Sequence, residues 1–296
     1  MSSAVPVIWN PISGRGRAAK GRARLAAAAE RLGIALEWWG TEGPGHATAL
    51  AARAAEAGRP LVFAFGGDGT YNEVARGLLG SETVMGILPG GTTSVLAYEL
   101  GIPQSVEDAL ERLAGGEDRV MSVGRTDAGD VFLLMLSTGP DAVVLDRLPP
   151  RLKRYGGKAG IAAQAVVEFA RGDLPEVEVV PDGGEPVRGG WAIVGNGECY
   201  GGPFPATPGA SPFSDELVAV IQTRRGRAAA VPFFLGIPKG RHVTRPDVVV
   251  RTVRRVRLEP VSGGAVPYQL DGDPVGDLPV EAWVEPGALR VRVPGA

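Results

Sequence analysis

The sequence predicts a two-domain protein, with an α/β domain that has a parallel sheet at 1–124 and a mainly antiparallel β-sandwich domain at 125–287. Three observations support this. Fully apolar strands alternate with helical patterns in the first part, which is typical of βαβ units. From about residue 119 the pattern changes to short apolar runs broken by Gly, Pro and Asp, which favours a sandwich. A length of 296 residues leaves room for two domains.

The first domain divides into strands and helices in alternation. Because strands and helices alternate, the strands should pair in parallel, and ligands then bind beyond their carboxyl ends. The loops after the first, third and fourth strands should therefore lie close together. The predicted strands are 5–9, 35–39, 61–65 and 84–88, and the predicted helices are 17–32, 47–57, 70–79, one ending near 100, and 105–114.

The central motif follows the strand at 61–65 and runs from Gly66 to Glu73 (Gly-Gly-Asp-Gly-Thr-Tyr-Asn-Glu). The spacing of Thr70 and Glu73 is that of a capping box, which predicts a helix start at Thr70. A glycine turn before a helix N-terminus offers backbone N–H groups to a phosphate. Asp68 lies inside this loop, where a carboxylate could hold Mg²⁺ or act on a proton. The alternative is a plain strand-to-helix turn in which Asp68 forms an Asx-turn.

The stretch from Gly66 to Glu73 resembles the nucleotide loop of the diacylglycerol kinase catalytic family, which includes sphingosine kinases and bacterial soluble lipid kinases. NAD kinases share its first five residues, whereas Asn72-Glu73 favours the lipid kinase branch. The loop from Asn10 to Gly14 is similar to the family's Asn-Pro-x-Ser-Gly. The loop at 89–95 is similar to its Pro-x-Gly-Thr-x-Asn-Asp, with Ser94 and Val95 in place of the last two residues. The nucleotide-binding residues so predicted are Asn10, Ser13, Gly66, Gly67, Asp68, Gly69, Thr70, Asn72, Glu73, Gly91 and Thr92.

The second domain is predicted to contain one clear helix, 158–170, among strands. A stretch beginning at Asn196 is similar to the family's second domain, where the family continues with Asp-Gly-x-Leu and its Asp helps to hold a structural Mg²⁺. Here Ser214-Asp215-Glu216-Leu217 stands in its place, so Asp215 is the candidate for this second metal site. The resemblance also implies that the final strand, at 288–296, returns to the first domain. The predicted strands are 119–123, 131–137, 175–180, 190–195, 217–223, 247–250, 253–258, 266–270 and 279–284.

Asp271-Gly272 is a strong signal for a tight hairpin turn. The surrounding Leu-Asp-Gly-Asp also resembles the family's Leu-Asp-Gly-Glu, whose Asp is the base that takes the proton of the lipid hydroxyl. The resemblance thus implies Asp271 as general base, with Asp68 as the alternate. The turn-only interpretation stays open.

Composition and charge limit the setting of the protein. The single cysteine, Cys199, excludes an internal disulfide and fits a reducing, cytoplasmic compartment. Neither a secretion signal nor a run of about 18 apolar residues is visible. Residues 224–257 carry a charge of +9 against −11 for the remainder. Clustered arginines beside apolar residues favour an anionic membrane surface, and the predicted contacts are Arg224, Arg225, Arg227, Phe233 and Phe234.

The sequence therefore predicts, by this resemblance, an ATP- and Mg²⁺-dependent lipid kinase of phospholipid metabolism. It would phosphorylate the hydroxyl of a diacylglycerol-like lipid and associate peripherally with the membrane. Two alternatives remain: an NAD kinase-like enzyme with a soluble acceptor, and a non-catalytic lipid- or nucleotide-binding relative. No nucleic-acid motif occurs. The sequence does not set the oligomeric state, and a homodimer stays open.

Overall fold

The computed structural model describes residues 4–172 and 174–295. These divide into two compact units. Unit 1 contains the residues up to Val123, Gly201–Pro203 and those from Pro286 onward, and unit 2 contains Gly124–Tyr200 and Phe204–Glu285. The sequence predicts the domain boundaries at 124/125 and 287/288, whereas the units change at 123/124 and 285/286.

Unit 1 has a parallel sheet with strand order β2-β1-β3-β4, followed by the last part of β18. Strands β3 and β4 are almost fully buried, as their unbroken apolar sequences predict. The elements are β1 (Val5–Trp9), α1 (Ser13–Arg31), β2 (Leu36–Gly40), α2 (His46–Glu56), β3 (Leu61–Gly66), α3 (Asp68–Leu78), β4 (Val84–Pro89), α4 (Val95–Glu99), α5 (Val106–Ala114) and β5 (Glu117–Thr126).

Unit 2 is an antiparallel sandwich, as predicted. Its first sheet contains β9, β8, β15 and the first part of β18, and its second has the order β14-β13-β10-β7-β16-β17. One apolar core draws on both sheets. The elements are β6 (Val131–Phe132), β7 (Met135–Thr138), α6 (Pro140–Asp146), α7 (Pro150–Arg171), β8 (Val177–Pro181), β9 (Val187–Gly189), β10 (Trp191–Gly195), β11 (Cys199–Tyr200), β12 (Phe204–Pro205), β13 (Leu217–Gln222), α8 (Arg227–Gly236), two 3₁₀ turns (Ile237–Lys239 and Arg241–Thr244), β14 (Val248–Val253), β15 (Arg255–Pro260), β16 (Pro267–Leu270), β17 (Asp273–Asp277) and β18 (Val280–Val293).

Several element boundaries differ from the sequence predictions. The helix predicted at 158–170 begins at Pro150, a residue well suited to the first turn of a helix. Helices α6 and α8 were not predicted; α8 contains Pro232, which usually argues against a helix. The strand predicted at 131–137 is interrupted because the N–H groups of Leu133 and Leu134 donate to a side chain rather than to a neighbouring strand.

Candidate functional site

Three glycine-containing loops meet at the carboxyl ends of β1, β3 and β4 in unit 1. Gly90 N–H donates to Gly66 O at 2.7 Å. A Cβ on Gly91 would lie 2.6 Å from the Cα of Gly67, and one on Gly67 would lie 3.4 Å from Ser13 Oγ. A side chain at Gly91 would therefore collide with the facing loop, and one at Gly67 would be tightly packed against it. The structure brings the loops together as the sequence predicts, with backbone rather than side chains at their contact.

The outer residues of these loops are held by local hydrogen bonds. Asn10 Oδ1 accepts the Ile12 N–H at 3.1 Å, so Asn10 closes the turn before α1. A Cβ on Gly14, whose φ is +58°, would lie 2.3 Å from Gly90 O. Thr92 is exposed, and its carbonyl accepts from Arg17 Nη1 at 3.4 Å. These contacts fix the loops but leave the predicted nucleotide contacts of Asn10 and Thr92 as predictions.

The prediction of a capping box formed by Thr70 and Glu73 is wrong. Helix α3 begins at Asp68 rather than at Thr70, and its N-cap, Gly67, has no side-chain cap. Thr70 is buried under Gly66, and its N–H donates to Gly67 O at 2.8 Å. Glu73 reaches a different helix, because its Oε2 accepts the Ala47 N–H in the first turn of α2 at 3.1 Å. The helix still starts directly after β3, so the N–H groups of its first turn point towards the glycine loops.

Asp68 caps a neighbouring helix. Its two carboxylate oxygens accept the N–H groups of Val95 (3.0 Å) and Leu96 (2.9 Å), which open the short helix α4. This favours a positioning role: Asp68 ties the loop after β3 to the loop after β4. These contacts do not test its predicted metal or proton role.

Tyr71 also links the loop after β3 to the loop after β4. Its hydroxyl lies 2.7 Å from Gly66 O and 3.1 Å from Ser94 Oγ. Burial, and after it the charge of Asp68, raises the pKa of Tyr71 above its ordinary range, so the group acts as a neutral donor. Ser94 is buried with a φ of +49°, a conformation that suits asparagine better than serine. Serine, which stands here in place of the family's asparagine, is therefore less suited than asparagine to the backbone conformation of this buried position.

Asp271 occupies the hairpin between β16 and β17. Both turn residues have positive φ, 51° at Asp271 and 95° at Gly272, as expected for a two-residue turn of this kind. The carboxylate accepts three backbone N–H groups, from Leu133 (2.7 Å), Leu134 and Met135 (2.9 Å each). Asp271 thus closes the gap between β6 and β7. The hairpin signal is confirmed, whereas the role of general base stays a prediction.

A second carboxylate in unit 2 escaped the sequence analysis. Asp141 lies in the first turn of α6, and its Oδ2 accepts from Ser137 Oγ at 2.7 Å and Tyr200 Oη at 3.1 Å. Trp191 Nε1 donates in turn to Ser137 Oγ at 3.4 Å. Asp141 Oδ1 is buried and has no hydrogen-bond partner of good geometry within the described parts of the chain, although the nearby backbone N–H groups of Ala142 and Asp141 act to lower the pKa of the carboxyl.

This environment changes the chemistry of the group. Burial raises the pKa of the Asp141 carboxyl above its usual range, against the lowering effect of Ser137. Burial also raises the pKa of Tyr200 well above 10, with the charge of Asp141 as the next cause. An orphan buried oxygen with a raised pKa is a candidate binding or proton-accepting group. The signal in the sequence was Gly139-Pro140-Asp141 directly after a buried strand.

The remaining predicted residues are dispersed. Asp215 is exposed, and over residues 4–172 and 174–295 no group of three or more acidic, His or Cys side chains is arranged to hold a metal ion, so its metal role stays a prediction. Phe233 is fully buried against Trp191, and the prediction of a membrane contact there is wrong because α8 turns this ring into the core. Phe234 is half-exposed, and Arg224, Arg225 and Arg227 are exposed.

Two family models cover most of the chain. The diacylglycerol kinase catalytic domain matches residues 4–126, and the YegS C-terminal NAD kinase beta sandwich-like domain matches residues 135–293. The fold and the glycine loops agree with the class these models describe: a parallel α/β domain followed by an antiparallel sandwich. The chain belongs to the family of the diacylglycerol kinase catalytic domain, within the NAD kinase-like superfamily.

Individual relatives extend over nearly the whole chain. A "Diacylglycerol kinase" from Mycobacterium tuberculosis is 29% identical and covers 98% of this chain and 95% of its own. A "Probable lipid kinase YegS-like" from Chromohalobacter salexigens is 31% identical, covering 94% and 88%. A solved diacylglycerol kinase from Bacillus anthracis strain Sterne has a TM-score of 0.69 at 20% identity, covering 97% of this chain and 96% of that one. Within the described residues, no helix combines the length and apolarity needed to cross a bilayer.

Proposed function

We propose that the chain is an ATP-dependent kinase that phosphorylates the hydroxyl group of a diacylglycerol-like lipid. The observation that carries the proposal is the backbone contact of Gly67 with Gly91 beside the N-terminus of α3. Loops without side chains at a helix N-terminus suit a polyphosphate, because N–H groups and the helix dipole both favour negative charge. Family membership and the names of the relatives support the reaction class.

In this proposal unit 1 holds the nucleotide. The β- and γ-phosphates lie against the backbone of Gly67, Gly69 and Gly91. Asp68 holds the loop after β3 and the loop after β4 together by accepting the first N–H groups of α4. ATP is the proposed cosubstrate, and Mg²⁺, when bound, neutralises phosphate charge. Mg²⁺ would be held mainly by the phosphate oxygens, with Asp68 as the candidate protein ligand.

Unit 2 holds the acceptor lipid. Two carboxylates of this unit are candidate acceptors for the proton of the lipid hydroxyl: Asp271, which the resemblance implies, and Asp141, whose pKa is raised by burial. The hydroxyl oxygen forms the new bond to the γ-phosphorus, the bond from this phosphorus to the β–γ bridging oxygen breaks, and ADP leaves. The proton of the hydroxyl passes to one of these carboxylates.

The test is transfer of ³²P from labelled ATP to a total lipid extract, resolved by thin-layer chromatography, with NAD as a parallel acceptor. We expect label in one lipid band with diacylglycerol-like chemistry and none in NAD. Label in NAD alone would establish the NAD kinase-like alternative. Nucleotide binding without label in any lipid would establish a non-catalytic relative.

A further inference from the structure

Helix α8 presents an apolar surface to solvent while its other side is packed in unit 2. Ala229, Ala230 and Phe233 are buried on the packed side. Val231, Phe234 and Leu235 have exposed fractions of 42%, 50% and 69%. The exposed side chains are large, and they lie together on a helix of only ten residues. Such a cluster on a surface helix marks a site of interaction.

Basic residues surround this helix on both ends. Arg224 and Arg227 lie at its start, and Lys239 and Arg241 follow its end; all four are exposed. A Cβ on Gly236 would lie 2.8 Å from the backbone N of His242, so the turn that carries Arg241 packs back against the end of α8. The basic residues therefore stay beside the apolar surface rather than extending away from it.

Ion pairs neutralise only part of the positive charge of this region. The sequence from 224 to 246 contains no acidic residue. Arg225 pairs with Glu176 at 3.0 Å, and Arg245 pairs with Asp247 at 2.9 Å. In the described parts of the chain, no acidic group lies at ion-pair distance from the other four basic residues, which are Arg224, Arg227, Lys239 and Arg241.

We propose that this α8 surface, defined as Val231, Phe234 and Leu235 with Arg224, Arg227, Lys239 and Arg241, docks the protein on an anionic bilayer. Apolar side chains enter the headgroup boundary while the basic residues bind lipid headgroups. A second copy of the chain fits less well. A two-fold contact through this surface would bring its four cations close to the same four cations of the partner. The inference rests on the proposed function, because it supplies the route by which a lipid acceptor is reached.

The test measures cosedimentation of the full chain, without nucleotide, with vesicles of phosphatidylcholine alone or mixed equally with phosphatidylglycerol. We expect clear preference for the anionic vesicles and loss of binding at high salt, which screens exposed charges. The variant Arg224→Ser/Arg227→Ser should bind anionic vesicles about 25-fold more weakly, since each basic residue contributes a factor of about five. Arg112→Ser, an exposed arginine on α5 of unit 1, is the matched control and should bind as wild type.

The apolar contribution is tested separately. Val231→Ser/Leu235→Ser should weaken vesicle binding about tenfold or more, because two side chains no longer leave water. Val120→Ser is the control, since Val120 is 48% exposed in unit 1. Urea midpoints equal to wild type establish that the variants fold. Vesicle binding that neither double variant changes would overturn the proposal. A dimer in sedimentation velocity that Val231→Ser/Leu235→Ser abolishes, with vesicle binding unchanged, would assign the surface to a second copy.

Two measurements on the wild-type protein, lipid phosphorylation and vesicle binding, distinguish a failure of this inference from a failure of the kinase proposal. Wild-type protein that phosphorylates detergent-dispersed lipid but does not bind vesicles contradicts the docking surface alone. Wild-type protein that binds anionic vesicles but phosphorylates no lipid, dispersed or in vesicles, contradicts the proposed function alone.

Discussion

At the scale of single residues, three carboxylates have distinct surroundings. Asp68 accepts two N–H groups at the start of α4, and Asp271 accepts three between β6 and β7. Asp141 has one oxygen with two hydroxyl donors and one buried oxygen with no partner in the described residues. The first two therefore resemble structural acceptors, and the third resembles a site for a ligand.

Asp68→Ala should weaken nucleotide binding whether or not Mg²⁺ is present. Loss of the carboxylate frees the start of α4 and the loop that carries Gly91, at a cost of about 1 kcal/mol in stability, as for other helix caps. The measurement is the ADP dissociation constant by calorimetry, with and without Mg²⁺. A defect seen only with Mg²⁺ would instead make Asp68 a metal ligand.

Asp271→Asn should lower the urea midpoint by the equivalent of about 1–3 kcal/mol. The amide can keep the contacts of one oxygen, but its NH₂ group then faces the N–H of Leu133, which donates to Oδ2 in the native protein. Asp277→Asn, an exposed change in the same hairpin, serves as control. Unchanged stability combined with lost turnover would establish Asp271 as the general base.

Asp141→Asn should change the pH dependence of stability. Because burial raises the folded-state pKa of Asp141, its contribution is complete below the ordinary value of about 3.9 and is lost as the pH rises through the raised value. The asparagine variant does not ionise and escapes this loss. Urea midpoints across this range should therefore shift in favour of the variant as the pH rises. Parallel pH profiles of the two proteins would contradict the buried-carboxylate assignment.

At the scale of elements, helix α3 packs closely on α2 at one glycine and has open space around another. A Cβ on Gly77 would lie 2.3 Å from the carbonyl oxygen of Thr48 on α2, whereas one on Gly69 would meet nothing within 4 Å. Glu73 and Thr48 also link the two helices by hydrogen bonds. The packing of α3 against α2 thus holds the start of α3, where Gly69 is exposed, in place.

Gly77→Ala should destabilise the protein by about 1–3 kcal/mol, the usual cost of overpacking. Gly69→Ala should keep the urea midpoint within about 0.5 kcal/mol yet reduce ADP affinity, since its methyl group enters the proposed phosphate cradle. Denaturation and calorimetry on both variants check this pair. Full ADP affinity in Gly69→Ala would place the phosphates elsewhere.

At the scale of the whole molecule, the chain leaves unit 1 and returns to it. Strand β18 belongs to unit 2 up to Glu285 and to unit 1 from Pro286. Its last part pairs with β4 through Val291 and Met85, and Arg292 binds Asp118 through two contacts of 2.7 and 2.9 Å. The stability of unit 1 thus depends on residues from the far end of the sequence.

A chain that ends at Glu285 should lose the ordered structure of unit 1. Strand β4 then lacks its parallel neighbour, and its hydrogen-bonding edge is open to water. Limited proteolysis with mass spectrometry should find new cleavage sites before Val123, and ADP binding should disappear. Protection of residues 4–123 equal to that of the full chain would show that unit 1 folds without its last strand.

The sequence by itself determined the fold class, the order of the glycine loops and the Asp271-Gly272 turn. These depend on local patterns: apolar runs, glycines at strand ends and a two-residue turn signal. Tertiary structure decided where each side chain points. Glu73 caps α2 instead of its own helix, Asp68 caps α4, and Phe233 turns inward beside the exposed Phe234. Asp141 became a candidate only because folding brings Tyr200, 59 residues away in sequence, to the same carboxylate oxygen that the nearby Ser137 contacts. Hydrogen bonds and burial depend on partners brought together by folding, and spacing along a single chain does not specify them.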